Sequence, residues 1–80
     1  MKKILIIGAG AMGSAFSIPC AENNNDVTII GSVLEDDFIS SIKSNKNLHP
    51  SLNVILPNNI KIKKFKKIIE FADTDLDLIV

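Results

Sequence analysis

The feature that most restricts this chain is the spacing of three glycines. Gly8, Gly10 and Gly13 stand in the order G-A-G-A-M-G, directly behind the unbroken apolar run Ile4-Leu5-Ile6-Ile7. A β-branched and leucine run with no polar alternation is what a central parallel strand needs when both of its faces are covered. A helical pattern opens at about Ala11, so the chain passes from strand to helix within a few residues. Gly8 permits the tight turn, Gly10 keeps a Cβ off the surface, and Gly13 lets the helix lie close on the strand.

The turn alone fits a purely structural role in many α/β proteins. Its setting between a buried strand and a helix favours another use. The N–H groups that open a helix have no intrahelical acceptor and carry the positive end of the helix dipole. Facing outward from a glycine turn, they form a place for the diphosphate of a dinucleotide, NAD(H) or NADP(H). The expected fold is therefore α/β, a partial Rossmann domain with a doubly wound parallel sheet in the order β-α-β-α-β-α-β.

The remaining segments continue this alternation. Residues 11–23 read as a helix whose apolar stripe is Met12, Ala15, Phe16, Pro19 and Cys20. Pro19 should kink that helix or end it early. The run Asn23-Asn24-Asn25 supplies residues that tolerate a left-handed C-cap. A second strand follows over 26–30, then a second helix over 35–44 with Glu35, Asp36 and Asp37 in its first turn. Residues 45–59, broken by Pro50 and Pro57, read as a loop. A short strand at 60–63, an amphipathic helix marked by Phe65, Ile68, Ile69 and Ala72, and a fourth strand at 76–80 complete the chain. Right-handed crossovers place the four strands in the spatial order 3-2-1-4. Sheets of this kind usually continue, so residues 1–80 are expected to be the N-terminal portion of a larger dinucleotide-binding domain, truncated after the fourth strand.

Composition narrows the alternatives. At 46% apolar and 22% charged residues the chain is globular, and its formal net charge of zero provides no global attraction for nucleic acid or an anionic membrane. One cysteine and one histidine exclude an internal disulfide and a Cys/His metal cage, and no metal site is expected. A reducing, cytoplasmic setting fits that usage. The start Met1-Lys2-Lys3 before an apolar run imitates a secretory signal, and Ser17-Ile18-Pro19-Cys20 imitates a lipoprotein cleavage site. Pro19 stands where such a site needs a small residue, however, and the three glycines keep strand-to-helix spacing. The same glycines break the run as a membrane span.

The end of the second strand bears on cofactor choice. Many NAD and FAD enzymes place a carboxylate there for the ribose hydroxyls, whereas this chain has Gly31 and then Ser32. Glu35, Asp36 and Asp37 come later and read as a helix start. That pattern counts against FAD and leaves NAD and NADP both open, with a lean towards NADP, although no arginine follows to hold a 2′-phosphate. Elsewhere, Lys61, Lys63, Lys64, Lys66 and Lys67 make a basic run that Glu70, Asp73, Asp75 and Asp77 cancel, so these lysines read as a solvated face rather than a nucleic-acid patch. His49 reads as a surface-loop residue and Cys20 as a packing residue.

The stretch from Gly8 to Pro19, G-A-G-A-M-G-S-A-F-S-I-P, and N-N-D-V-T-I-I-G from Asn24 to Gly31 resemble the NAD(P)-dependent glycerol-3-phosphate dehydrogenases. The proline in the first helix, the loop H-P-S-L-N-V-I-L-P from His49 to Pro57 and the ending at 72–80 look closest to the archaeal-type branch. The resemblance implies that backbone at Gly8, Gly10, Ala11, Met12 and Gly13 holds the pyrophosphate, with Gly31 and Ser32 by the adenosine ribose. It also implies an oxidoreductase that interconverts dihydroxyacetone phosphate and sn-glycerol 3-phosphate in glycerophospholipid metabolism. In that family the catalytic lysines lie beyond the fourth strand and in a helical C-terminal domain. No catalytic residue is therefore assigned within residues 1–80, which are expected to be inactive alone. The implied partners are a dinucleotide and, for the full-length parent, a small phosphorylated substrate, with a homodimer left open and neither nucleic acid nor membrane expected. Ketopantoate reductases share the G-A-G-A-M-G-S opening, and a nucleotide-sensing module without chemistry is a further alternative.

Overall fold

The computed structural model describes residues 1–71 and 75–80. Four parallel strands form one sheet in the order β5-β2-β1-β6, where β1 is Lys3–Ile7, β2 Asp26–Ile30, β5 Ile60–Lys63 and β6 Leu78–Ile79. This is the expected 3-2-1-4 arrangement, with the first strand in the middle. β1 pairs with β2 from Lys3↔Asp26 to Ile7↔Ile30, and with β6 at Ile4↔Leu78 and Leu5↔Ile79.

The strand alternation sorts side chains into two unlike faces. Ile4, Ile6, Val27, Ile29, Ile60 and Ile62 form one apolar face and share a core with Ala21 of helix α1 (Ala11–Glu22) and Ile39 and Ile42 of helix α2 (Asp36–Ser44). Each fully buried Ile or Val there contributes about 1.5–3 kcal/mol relative to exposure. The other face carries Lys3, Asp26, Thr28, Lys61 and Lys63 around Leu5 and Ile30. Lys61 pairs with Asp26 at 3.3 Å and Lys63 with Glu70 at 2.8 Å.

Helix α1 presents a different side to the sheet from the one its apolar stripe suggests. Ser14, Ser17 and Ala21 are buried, whereas Met12 is 89% exposed and Phe16 42%. Close approach to β1 explains the rotation: a Cβ on Gly13 would stand 3.1 Å from Ile6 Cγ2, so only small residues fit beneath the helix. The buried serines meet their hydrogen-bonding needs within the helix start, Ser14 Oγ donating to Ala9 O and Ser17 Oγ to Ser14 O. Nor does Pro19 end the helix early. The chain stays helical to Glu22, and the exposed position of Pro19 leaves its ring outside the core. Asn24 then takes the left-handed conformation at φ 63°, with Asn24 N–H bonded to Ala21 O and Asn25 N–H to Cys20 O.

Two further expectations are corrected. Residues 45–59 are not an open loop, because β3 (Leu48–His49) and β4 (Val54–Ile55) form a short antiparallel hairpin that leads Leu56 into the core. The segment Phe65–Phe71 is a 3-10 helix with no buried residue, and Ile69 is 76% exposed. It lies over the mixed face of the sheet, beside Asp26, Thr28, Lys61 and Lys63. Ala72, part of the expected helix stripe, lies outside the described residues.

Candidate functional site at the glycine turn

The C-terminal ends of β1 and β2 bring together Gly8–Gly13 and Gly31–Glu35. Gly8 has φ +102°, a conformation that side-chain-bearing residues rarely adopt, and its N–H donates to Ile30 O at 2.6 Å. The turn thereby extends the β1–β2 ladder by one bond before leaving the sheet. Gly10 is the N-cap of α1, and a Cβ built there meets nothing within 4 Å. The first bond into the helix is Ser14 N–H to Gly10 O at 3.0 Å. The N–H groups of Ala11, Met12 and Gly13 therefore have no acceptor among the described residues, and Ala11 and Met12 are exposed. No acidic side chain occupies the first turn of α1. Free donors, the positive end of the dipole and an open approach over Gly10 fit a diphosphate.

At the end of β2, Gly31 serves packing as well as position. A Cβ there would stand 2.6 Å from Ile39 Cγ1, so α2 closes directly over this residue. Ser32 is half-buried, and its N–H is already occupied by Glu35 Oε1 at 2.7 Å. The same oxygen accepts from Ala9 N–H at 3.1 Å. Glu35 is thus more than a helix start, since its carboxylate bridges the ends of the first two strands. The Ser32 N–H bond is the largest influence on it and holds its carboxyl below the ordinary range. Partial burial opposes that effect, while Ala9 N–H, the Ser32 hydroxyl and His49 reinforce it. The sequence has no acidic residue at Gly31 or Ser32; the structure brings in the carboxylate of Glu35, three residues beyond Ser32.

His49 is likewise not a surface residue. It is fully buried, with its Nε2 2.8 Å from Ala9 O and the Leu52 N–H donating to its Nδ1 at 3.2 Å. Because Nδ1 accepts, Nε2 carries the hydrogen and donates to Ala9 O. The Phe38 ring packs edge-on at 5.3 Å. Both sides of Ala9 are therefore anchored, its N–H by Glu35 and its carbonyl by His49 and Ser14. No pattern around His49 signals this placement, which the hairpin alone brings about.

Other concavities lie away from the turn. One of about 220 Å³ separates the polar sheet face from Phe71, and another of about 600 Å³ is edged by Lys43, Lys64, Lys66 and Lys67. Neither is lined by a glycine or opens on the start of an α-helix, so the turn remains the site best suited to a diphosphate. Among the described residues no group of three or more His, Cys, Asp or Glu could hold a metal ion, and no helix is long and apolar enough to cross a membrane.

No protein-family model matches the chain. It is 38% identical over 76 residues to an NADP(+)-dependent glycerol-3-phosphate dehydrogenase of Archaeoglobus fulgidus, covering 91% of this chain and 22% of that protein. It is 37% identical over 62 residues to a glycerol-3-phosphate dehydrogenase [NAD(P)+] of Shouchella clausii, covering 76% of this chain and 18% of that protein. With the enzyme of the same name from Aster yellows witches'-broom phytoplasma it shares 36% over 72 residues, 89% of this chain and 20% of that protein. The chain spans about a fifth of the length of these curated relatives.

Proposed function

We propose that this chain, which is related in sequence to the NAD(P)-dependent glycerol-3-phosphate dehydrogenases, is the N-terminal portion of the dinucleotide-binding domain of an oxidoreductase of that kind. The observation that carries the reading is the Gly8 turn, which leaves the N–H groups of Ala11, Met12 and Gly13 without acceptors at an open helix start. These groups, with the backbone of Gly8 and Gly10, receive the pyrophosphate of NAD(H) or NADP(H). Gly31 and Ser32 stand beside the adenosine ribose, at the end of β2. The cofactor supplies a hydride equivalent for the interconversion of dihydroxyacetone phosphate and sn-glycerol 3-phosphate.

No residue of 1–80 is assigned to the chemical step. What the chain contributes is position: the rigid anchoring of Ala9 fixes the turn, and a fixed turn fixes the diphosphate. The same reading carries a small phosphorylated substrate, a cytoplasmic setting and a homodimer. Gly10→Ala tests it, because a methyl there meets no protein atom yet stands on the approach of the pyrophosphate. Calorimetric titration should show dinucleotide binding reduced about tenfold or more, with the unfolding midpoint nearly unchanged. Equal affinity in wild type and Gly10→Ala would refute the assignment.

A further inference from the structure

We infer that His49 is a positioning residue for dinucleotide binding: from a hairpin outside the glycine turn, it fixes the Ala9–Gly10 peptide so that the Gly10 N–H faces the diphosphate. The inference rests on the dinucleotide reading above. It adds to that reading one backbone donor and the distant side chain that aims it.

Ala9 O and Gly10 N–H belong to one peptide unit, and no peptide bond among the described residues is cis. In a planar trans unit the C=O and the N–H point in opposite directions. Ala9 is fully buried, and its carbonyl points inward to His49 Nε2 at 2.8 Å and Ser14 Oγ at 3.2 Å. Gly10 is exposed, and its N–H has no acceptor among the described residues. The inward carbonyl thus turns the Gly10 N–H outward, where it joins the free N–H groups of Ala11, Met12 and Gly13 at the open start of α1. Were this unit turned over, an anion would meet a carbonyl oxygen in place of a donor. The preceding units are tied elsewhere, Gly8 N–H to Ile30 O and Ala9 N–H to Glu35 Oε1. Of the two donors on Ala9 O, Ser14 belongs to the helix that the turn opens and moves with it. His49 is the donor that ties this unit to a separate part of the fold. Its ring is itself fixed, because Nδ1 accepts from Leu52 N–H and the Phe38 ring stands edge-on at 5.3 Å. Only Nε2–H is left to face Ala9.

The test titrates NADH into the wild-type chain and into His49→Leu, His49→Gln and Phe38→Leu, with the folded fraction of each taken from urea denaturation. Leucine keeps apolar bulk and removes the donor, whereas glutamine keeps an N–H for Ala9 O. His49→Leu should raise the dissociation constant of the folded chain about fivefold or more, and His49→Gln should recover most of that affinity. Phe38→Leu strips the ring contact and neither hydrogen bond, so it should lower the unfolding midpoint and leave the affinity within about twofold. Equal affinity in folded His49→Leu and wild type, or losses of the same size in His49→Leu and Phe38→Leu, overturns the inference and leaves the dinucleotide reading standing. If His49→Leu does not fold, two magnetic-resonance signals of the wild type decide. The ring should show Nε2 protonated and Nδ1 bare, and the Gly10 amide should shift on NADH binding together with those of Ala11 to Gly13. A proton on Nδ1, or a Gly10 amide that stays still while its neighbours move, overturns the inference. A wild type that binds no NADH removes the dinucleotide reading itself, and this inference with it.

Discussion

Replacing His49 by alanine should be among the most damaging single changes in this chain. The ring is fully buried and is held by three different contacts: Nε2–H to Ala9 O, Leu52 N–H to Nδ1, and the edge of Phe38. Emptying a buried ring of this size costs about 2–3 kcal/mol. Leaving the Leu52 N–H without its acceptor adds about 1 kcal/mol, and loss of the aromatic contact about 0.5–1 kcal/mol. Ala9 O suffers less, because Ser14 Oγ also donates to it at 3.2 Å. The expected loss is about 4 kcal/mol. At about 0.05–0.15 kcal/mol per residue a chain of this length has about 4–12 kcal/mol in total, so the variant should lose about a third or more of its stability. His49→Gln, whose amide can still donate to Ala9 O, should lose only about half as much. Urea denaturation followed by circular dichroism measures both. A loss below about 1 kcal/mol for His49→Ala would show that the hairpin does not hold the ring against the glycine turn.

Other substitutions follow from the same geometry. Gly31→Ala drives a methyl to within 2.6 Å of Ile39 Cγ1 and should cost about 1–3 kcal/mol in the same denaturation assay. Gly8→Ala forces a side chain into φ +102° and should lower the melting temperature, in contrast to the near-neutral stability expected for Gly10→Ala. Because the Glu35 carboxyl titrates lower in the folded chain than its ordinary value of 4.5, its contribution to stability is complete above that value and is lost as pH falls through the lowered one. The stability difference between wild type and Glu35→Gln should therefore shrink on acidification below about pH 5, as followed by melting at successive pH values. Residues 1–80 mixed with dihydroxyacetone phosphate and NADH or NADPH should give no loss of absorbance above buffer, since hydride transfer also needs a positioned proton donor and the chain is assigned only the binding of the diphosphate.

What could be read without the structure was the local part. The Ile4–Ile7 run, the glycine turn and the β2 run are set by short-range pattern, and the strand order follows from the handedness of parallel crossovers. The facing of α1 was not legible, because hydrophobic periodicity assumes that apolar residues point inward, whereas a helix pressed onto β1 at Gly13 selects for small ones. His49 and Glu35 were misread for a common reason. Both hydrogen-bond to Ala9, a partner distant in sequence, and no motif around either residue announces that contact. The helix expected at Phe65 is instead a 3-10 segment that buries none of its residues, a difference that apolar periodicity alone does not foresee.

The central claim concerns where a dinucleotide binds, and amide chemical shifts report that residue by residue. In ¹⁵N-labelled wild-type chain titrated with NADH, the backbone signals of Gly8 to Ser14 should move most, with those of Gly31 to Glu35 next, and Gly10→Ala should suppress both sets. Shifts concentrated instead at Lys61 to Glu70, around the lysine-edged groove, would place the ligand elsewhere and contradict the account.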